Sequence, residues 1–408
     1  MANESLILSG IGSGLKGARC VGSMLGYKPT PQETNPNAVL PIEIPFTRGS
    51  VGMEYVNGLW QEAAINKPRR YNDAYLNEPL SQNQLTHNTT FTGWTQVLQS
   101  FSAGVQSPIK DVLSKRMLVT GVGSNYLLQS LNATVGTRTV TASLFVKNVD
   151  YVGNELLNLN VSDGVVGGMT AYYKPSDDTI TFNHALSWTN VSVKKTAEGQ
   201  GFTRIAITGT VTSAATGWFE ITGTNGRSID IIAPQFELGS VATSPIITAG
   251  AAVTRLADYF VLNQGGSSAG GTWFIHLKNN TVALSSSASS APYVGSNFAS
   301  GVAGWSFVLR QGGAAQRPAI WKYENGVGTA LYTTLTDEVK IAVTWNGVTA
   351  DVWVNEVKVV AGTAFATSVL QYLASGNSGT IGRPFFIVEQ RIYPSQITDL
   401  EAESLTTI

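Results

Sequence analysis

His87, His184 and His276 are the three histidines of the chain, and none has a Cys, Asp or Glu at a spacing that would hold a metal ion. His276 falls on the less apolar face of the run GTWFIHLKN, where a satisfied or exposed imidazole is expected. A glycosidase needs two opposed carboxylates, yet the 27 acidic residues contain no Glu-x-Asp-x-Glu array. The acids of SDD (176–178) and VSDG (161–164) read as turn residues, whose side chains bond the local backbone. Gly-x-Ser-x-Gly spacing occurs once, as GSSAG (266–270), inside the loop-like tract GGSSAGG and not at a strand-to-helix elbow, and no Gly-x4-Gly-Lys-Ser/Thr phosphate loop occurs. No oxygen-rich loop demands calcium. The single cysteine, Cys20, has Lys16 and Arg19 nearby but reads as a bystander thiol, and it excludes an intrachain disulfide framework. A non-enzyme without metal or cofactor is therefore expected.

Aromatic rings are the other route to chemistry, because sugars lay their apolar faces on Trp and Tyr. Trp273, Trp305, Trp345 and Trp353 lie in alternating runs and read as core. Trp321 differs: in RPAIWKYENGVG it stands beside Lys322 and Tyr323, just before a turn. Arg317, Trp321 and Tyr323 are accordingly the candidate glycan contacts.

The elements that must position such groups are strands. In TVTASLFVKN, Val140, Ala142, Leu144 and Val146 share one face, opposite Thr141, Ser143, Phe145 and Lys147. FTRIAITGTV turns Ile205, Ile207 and Val211 inward and Arg204, Thr208 and Thr210 outward. Asn225-Gly226 marks a hairpin, since both residues tolerate positive φ. A second block repeats the period: Trp273, Ile275 and Leu277; Trp305, Phe307 and Leu309; and Val339, Ile341, Val343 and Trp345 around Asn346-Gly347. Charged residues are only 13% of the chain and glycines number 42, as suits packed strands with tight turns. A net charge of −1 leaves no footprint for nucleic acid or an anionic membrane, and no apolar run is long enough to span a bilayer. The start lacks the basic and apolar pattern of a signal peptide, so synthesis in a cytoplasm without ordinary export is expected.

Residues 1–45 lack alternation and are broken by Gly and Pro. Their apolar residues, Leu6, Ile7, Leu8, Leu25 and Leu40, are too many for a solvated tail and too scattered for a core of their own. They read as an anchor that orders on a partner, with Lys16 and Arg19 available to acidic groups there. At the other end, Thr398 and Glu401 have capping-box spacing, with Asp399 and Glu401 at the positive end of a short helix. Ile397 precedes the cap, and Leu400 and Leu405 are expected to turn toward a sheet and close its edge.

That ending, IGRPFFIVEQRIYPSQITDLEAESL, resembles the last strand and helix of concanavalin A-like (laminin-G-like) sandwiches, and KIAVTWNGVTADVWVNEVKV resembles the preceding hairpin, with Asn355-Glu356 where the family often has Asn-Gly. FTRGSVGMEYVNGLWQEAAINKPRRYN (46–72), LNEPLSQNQLTHNTTFTGW (76–94) and APQFELGSVATSPIITAGAAVTRLAD (233–258) resemble modules of tailed-phage fibre proteins. The expected fold is all-β, with two β-sandwich (jelly-roll/concanavalin A-like) domains in series after an irregular N-terminal anchor. The divisions are 1–90 for the anchor, 91–255 for a first, carbohydrate-binding-like sandwich, and 256–408 for a second, concanavalin A-like one. The resemblance implies a head-fibre, tail-fibre or decoration protein on the virion exterior. It implies a homotrimer, held to a capsid or tail protein by its N-terminus and presenting its sandwiches to host-surface polysaccharide. A capsule-degrading depolymerase and a purely structural decoration are the alternatives.

Overall fold

The computed structural model describes residues 22–24, 46–65, 67, 69–71, 74–78, 80–131, 136–164, 167–213, 217–262, 270–278, 293–295, 305–312, 317–324, 327–333, 335–365, 372–376, 385–393 and 396–407. Strands paired antiparallel dominate it, joined by turns and loops. Two compact units result: a central unit of residues 50–64 and 81–256, and a C-terminal unit of residues 1–49, 65–80 and 257–408. Residues 46–83, which the sequence groups with the leader, supply strands to both. Of the leader itself, Gly22–Met24 is described; it pairs with Phe385–Tyr393 in the C-terminal unit. Leu6, Ile7, Leu8, Lys16, Arg19, Cys20 and Leu25 lie outside the described residues.

The central unit is a sandwich of two six-stranded sheets. One runs Trp188–Ala197, Thr203–Ser213, Gly136–Asn148, Ser228–Leu238, Leu113–Val119, Gln99–Gln106. The other runs Thr179–His184, Gly168–Lys174, Leu157–Ser162, Trp218–Thr222, Tyr126–Ser130, Thr95–Val97. Alternation builds the core between them: Val140, Ala142, Leu144, Val146, Ile205 and Ile207 from the first sheet meet Leu127, Leu157, Leu159, Val161, Phe219 and Ile221 from the second. Each large side chain so buried stabilises by roughly 1.5–3 kcal/mol. On the far side of the first sheet, Thr137–Thr212, Thr139–Thr210 and Thr141–Thr208 form a ladder of cross-strand hydroxyl bonds, each 2.8 Å long. Phe145 and Arg204 also face that side but are buried, the guanidinium 4.9 Å from the ring centre.

The C-terminal unit packs a seven-stranded sheet against a second sheet carrying, in order, Val357–Ala364, Thr349–Val354, Val339–Trp345, Gly271–Lys278, Phe385–Tyr393, Ala74–Asn77 and Arg69–Tyr71. Trp273, Ile275, Leu277, Val339, Ile341, Val343 and Trp345 fill its core with Phe307, Leu309, Ile320 and Phe365. The helix Asp399–Thr406, here α1, carries the expected capping box: Thr398 Oγ1 accepts from the Glu401 N–H at 3.3 Å, and Glu401 Oε2 accepts from the Thr398 N–H at 2.8 Å. It covers Phe274, Ala342 and Trp353 with Ile397 and Ala402, and Leu405 packs against them. Leu400 does not turn inward as expected; it is 75% exposed, because the inward stripe falls on Ala402 and Thr406.

Two buried polar networks use the motif residues. In the C-terminal unit, the wholly buried Arg69 ion-pairs with Glu78 at 2.5 Å and with Asp258, and Arg48 bonds Asp258 at 3.1 Å. Burial alone would lower the Arg69 pKa, but the charges of Asp258 and Glu78 raise it above the ordinary arginine range. In the central unit, the Glu237 carboxylate accepts from Ser81 Oγ, Thr243 Oγ1 and the Thr243 N–H, while Arg255 donates to Thr243 Oγ1 at 3.1 Å and Ser244 Oγ at 2.9 Å. Asn83 and Asn88 each donate to Pro234 O and Ile246 O. The RGS, PRRY, NEP, QFE and TRLAD signatures are thus anchors of loop position.

Candidate functional site

The second sheet of the central unit turns a mixed polar and aromatic face away from the core. LNLNVS sends Leu157, Leu159 and Val161 inward and leaves Asn158, Asn160 and Ser162 on the opposite face; GMTAYYK leaves Thr170, Tyr172 and Lys174 there. WFEIT contributes Trp218, Glu220 and Thr222, and YLLQS contributes Tyr126, Leu128 and Ser130. The register aligns them in ranks across the strands. One rank is Asn183, Thr170, Asn160, Glu220, Leu128 and Thr95. The next is Thr181, Tyr172, Asn158 and Thr222, continued by the pair Tyr126 and Val97. A third holds Gly168, Ser162, Trp218 and Ser130. At a strand spacing of about 4.8 Å, six strands span roughly 24 Å.

Hydrogen bonds fix the middle of this face. Thr170 Oγ1 donates to Asn160 Oδ1 at 3.2 Å, and Asn158 Nδ2 donates to Thr222 Oγ1 at 3.0 Å. Tyr126, Tyr172 and Trp218 are each half-buried, edged by neighbours yet open to solvent. The six strands hold two charged residues, Lys174 and Glu220. Lys174 is paired with Asp177 at 2.6 Å. Burial raises the Glu220 carboxyl pKa, partly offset by a hydrogen bond to Asn160. A shaped surface of rings, amides, hydroxyls and one desolvated carboxylate can stack on a sugar and bond its hydroxyls.

The residues singled out from the sequence lie elsewhere. Arg317, Trp321 and Tyr323 occupy alternate positions of the Arg317–Glu324 strand in the C-terminal unit, with Trp321 in register with Val308 and Ala330. Trp321 is half-buried, opposite in parity to Ile320 in the core. The side chains of Arg317 and Tyr323 are outside the described residues. Of the histidines, His276 is nearly buried with Nε2 2.8 Å from Glu338 Oε1, and burial lowers its pKa. His184 stacks on Phe182 at 6.1 Å between ring centres. No three His, Cys, Asp or Glu side chains converge among the described residues.

One further titratable group stands out in the central unit. Trp60 Nε1 donates to Glu198 Oε2 at 3.2 Å, where the 57–58 turn meets the 199–201 turn. A Cβ on Gly199 would lie 1.5 Å from Gly58 O, so only glycine fits that approach. Burial lifts the Glu198 pKa to about 7, against the opposing pull of Arg204, the Trp60 bond and Lys194.

The ranked face escaped the sequence reading because no single residue in it is unusual. Its signal was the outward half of each strand: Asn, Asn, Ser in LNLNVS, Thr, Tyr, Lys in the next strand, and Trp, Glu, Thr in a strand that becomes a neighbour only on folding.

No family model matches the sequence, and no curated protein does. Among solved structures, domain 4 of AbnA, a GH43 extracellular arabinanase from Geobacillus stearothermophilus in complex with arabinotriose, is 16% identical, with a TM-score of 0.29 over 38% of this chain and 77% of that one. A Trypanosoma rangeli sialidase is 11% identical, with a TM-score of 0.23 over 91% of this chain and 95% of that one. Likenesses this distant carry no functional weight. Among the described residues no helix is long and apolar enough to cross a membrane.

Proposed function

We propose that the protein is an exterior fibre or decoration protein of a tailed-phage virion, and that its central unit binds host-surface polysaccharide on the ranked face. The observation that carries the binding reading is the face itself: Tyr172, Trp218 and Tyr126 interleaved with Asn158, Asn160, Thr170 and Glu220 on one sheet. The virion reading rests on the ordered motifs that resemble phage fibre modules. Several of these motif residues, Arg48, Arg69, Glu78 and Asp258, meet in one buried network. In this reading the chain assembles as a homotrimer whose N-terminal residues seat in a capsid or tail protein. Weak single sites then gain avidity by repetition on the particle.

Binding without cleavage is the favoured chemistry, since Glu220 is the single carboxylate on the ranked face and a two-carboxylate hydrolase needs an opposed partner. The Arg317, Trp321 and Tyr323 strand is a second candidate contact, favoured by the half-exposed Trp321 ring. Incubating the protein with host surface polysaccharide and sizing the glycan separates the readings. Retention of protein on unshortened chains supports binding. Shortened chains would establish a depolymerase, and no retention would leave a structural decoration. Imaging labelled protein on intact particles tests the virion placement.

A further inference from the structure

The ranked face also carries information about which polysaccharides fit, provided that the glycan-binding reading holds. Anionic glycans are generally held by Arg or Lys, whose charge and donors match a carboxylate or sulfate. None of the six strands carries an arginine, and the one lysine, Lys174, is already neutralised by Asp177. The one charge near the middle is negative: Glu220, in register with Asn160 on one side and Leu128 on the other. An acidic sugar set down across these ranks would meet a like charge in a partly desolvated place, with Lys174, already paired to Asp177, the one cation on these strands. A neutral sugar meets the opposite situation. Its hydroxyls can donate to the Glu220 carboxylate, exchange bonds with Asn160 and Thr170, and rest ring faces on Tyr172 and Trp218.

The geometry also sets the direction and extent. The ranks run perpendicular to the strands, and the two longest cross the full width of the sheet. Tyr172 and Trp218 lie on different strands and in different ranks, so one small sugar cannot engage both with the polar groups between them. We infer that this face binds the interior of an extended, uncharged polysaccharide running obliquely over the strands from Tyr172 toward Trp218, and discriminates against uronate-, sialate- or sulfate-bearing chains.

The test uses the full chain on an array of neutral hexose and pentose oligomers of graded length beside uronate-, sialate- and sulfate-bearing chains. Tyr172→Ala and Glu220→Lys variants, with thermal unfolding midpoints matched to the parent, are applied in parallel. Signal on neutral chains that rises with length, falls at least tenfold in Tyr172→Ala, and in Glu220→Lys shifts toward acidic chains is the expected result. Binding confined to acidic chains overturns this inference and leaves glycan binding standing. Neutral binding that does not change in Tyr172→Ala places the site elsewhere and overturns it as well. Silence on every chain with a folded protein removes the glycan reading and this inference together.

Discussion

Arg48 Nη1 lies 3.1 Å from Asp258 Oδ1 across 210 residues of sequence, with both side chains wholly buried. Asp258 also pairs with Arg69, and its Oδ2 accepts the Glu78 N–H at 2.9 Å. One carboxylate therefore compensates two buried guanidinium groups and a backbone donor. Removing its charge leaves two guanidinium groups that water cannot reach with less than their full compensation, Arg69 keeping Glu78.

Asp258→Asn is expected to destabilise the C-terminal unit by about 3–5 kcal/mol, the usual cost of breaking a buried pair. Urea unfolding followed by tryptophan fluorescence reads this directly. An unchanged midpoint would mean that the network adds specificity and not stability.

Glu198 predicts a pH dependence in the central unit. Its folded pKa, about 7, lies above the unfolded value of 4.5, so the folded state holds the proton more tightly. The stabilisation is complete below pH 4.5 and is lost as the pH rises through about 7. Tyr55 and Trp60 line this contact, and Arg204 and Lys194 supply the nearby cations. The central unit should therefore lose about 1–3 kcal/mol between pH 5 and pH 8, and Glu198→Gln should flatten that slope. A slope identical in the variant assigns the effect to other groups.

The turn at Asn355-Glu356 offers a stabilising change. Both residues have positive φ, 44° and 71°, as a tight hairpin of the mirror-image type requires. Glycine adopts that conformation without a Cβ penalty, so Glu356→Gly should gain about 1 kcal/mol. The Glu356 N–H, which bonds Thr406 Oγ1 at 3.0 Å, is kept in the variant. A lowered melting temperature would show that the glutamate side chain has a role of its own.

Thr398→Ala removes the hydroxyl that accepts from the Glu401 N–H and opens the capping box of α1. A loss of about 1 kcal/mol is expected. Hydrogen exchange should show faster amides at residues 400–402 with the core strands unaffected; uniform acceleration throughout the unit would contradict a local cap.

Deleting residues 1–45 tests the anchor. The truncated protein is expected to keep both units folded, the C-terminal one without its Gly22–Met24 pairing, and to lose incorporation into particles, measured as copy number per virion. Undiminished incorporation would end the anchor assignment.

Much of this fold is legible in the sequence, for reasons particular residues make plain. Val140, Ala142, Leu144 and Val146 can all be apolar only if one face is buried, and they are at most 1% exposed. The Thr398–Glu401 spacing is local, so it could be read without knowing the partner strand. Leu400 could not: whether a helical position faces in depends on how α1 is rotated on its sheet, which Ala402 and Thr406 decide by being small enough to sit close. Alternation puts Arg204 and Phe145 on an outward face, and they do point that way, but both are buried: the Arg204 guanidinium lies over the Phe145 ring, and Thr243 O accepts from Arg204 Nη1 at 2.6 Å. The candidate site was illegible for a related reason. The run 157–184 holds three neighbouring strands in order of contact, but the rank is completed by Glu220, Leu128 and Thr95, which come from strands distant in sequence and join it only on folding.

The order of synthesis gives the Arg69–Asp258 pair a second meaning. These residues are 189 positions apart, and at roughly 5–20 residues per second about 10–40 s pass on the ribosome between them. The whole of 81–256 emerges in that interval, and its sandwich closes with contacts that lie inside residues 50–64 and 81–256. Arg48 and Arg69 must wait solvated until Asp258 arrives, so the C-terminal unit is necessarily the last to be completed. A nascent chain whose emerged part ends shortly before residue 258 would carry one finished sandwich and the orphaned first strands of the other, open to capture by chaperones or by a neighbouring ribosome's product.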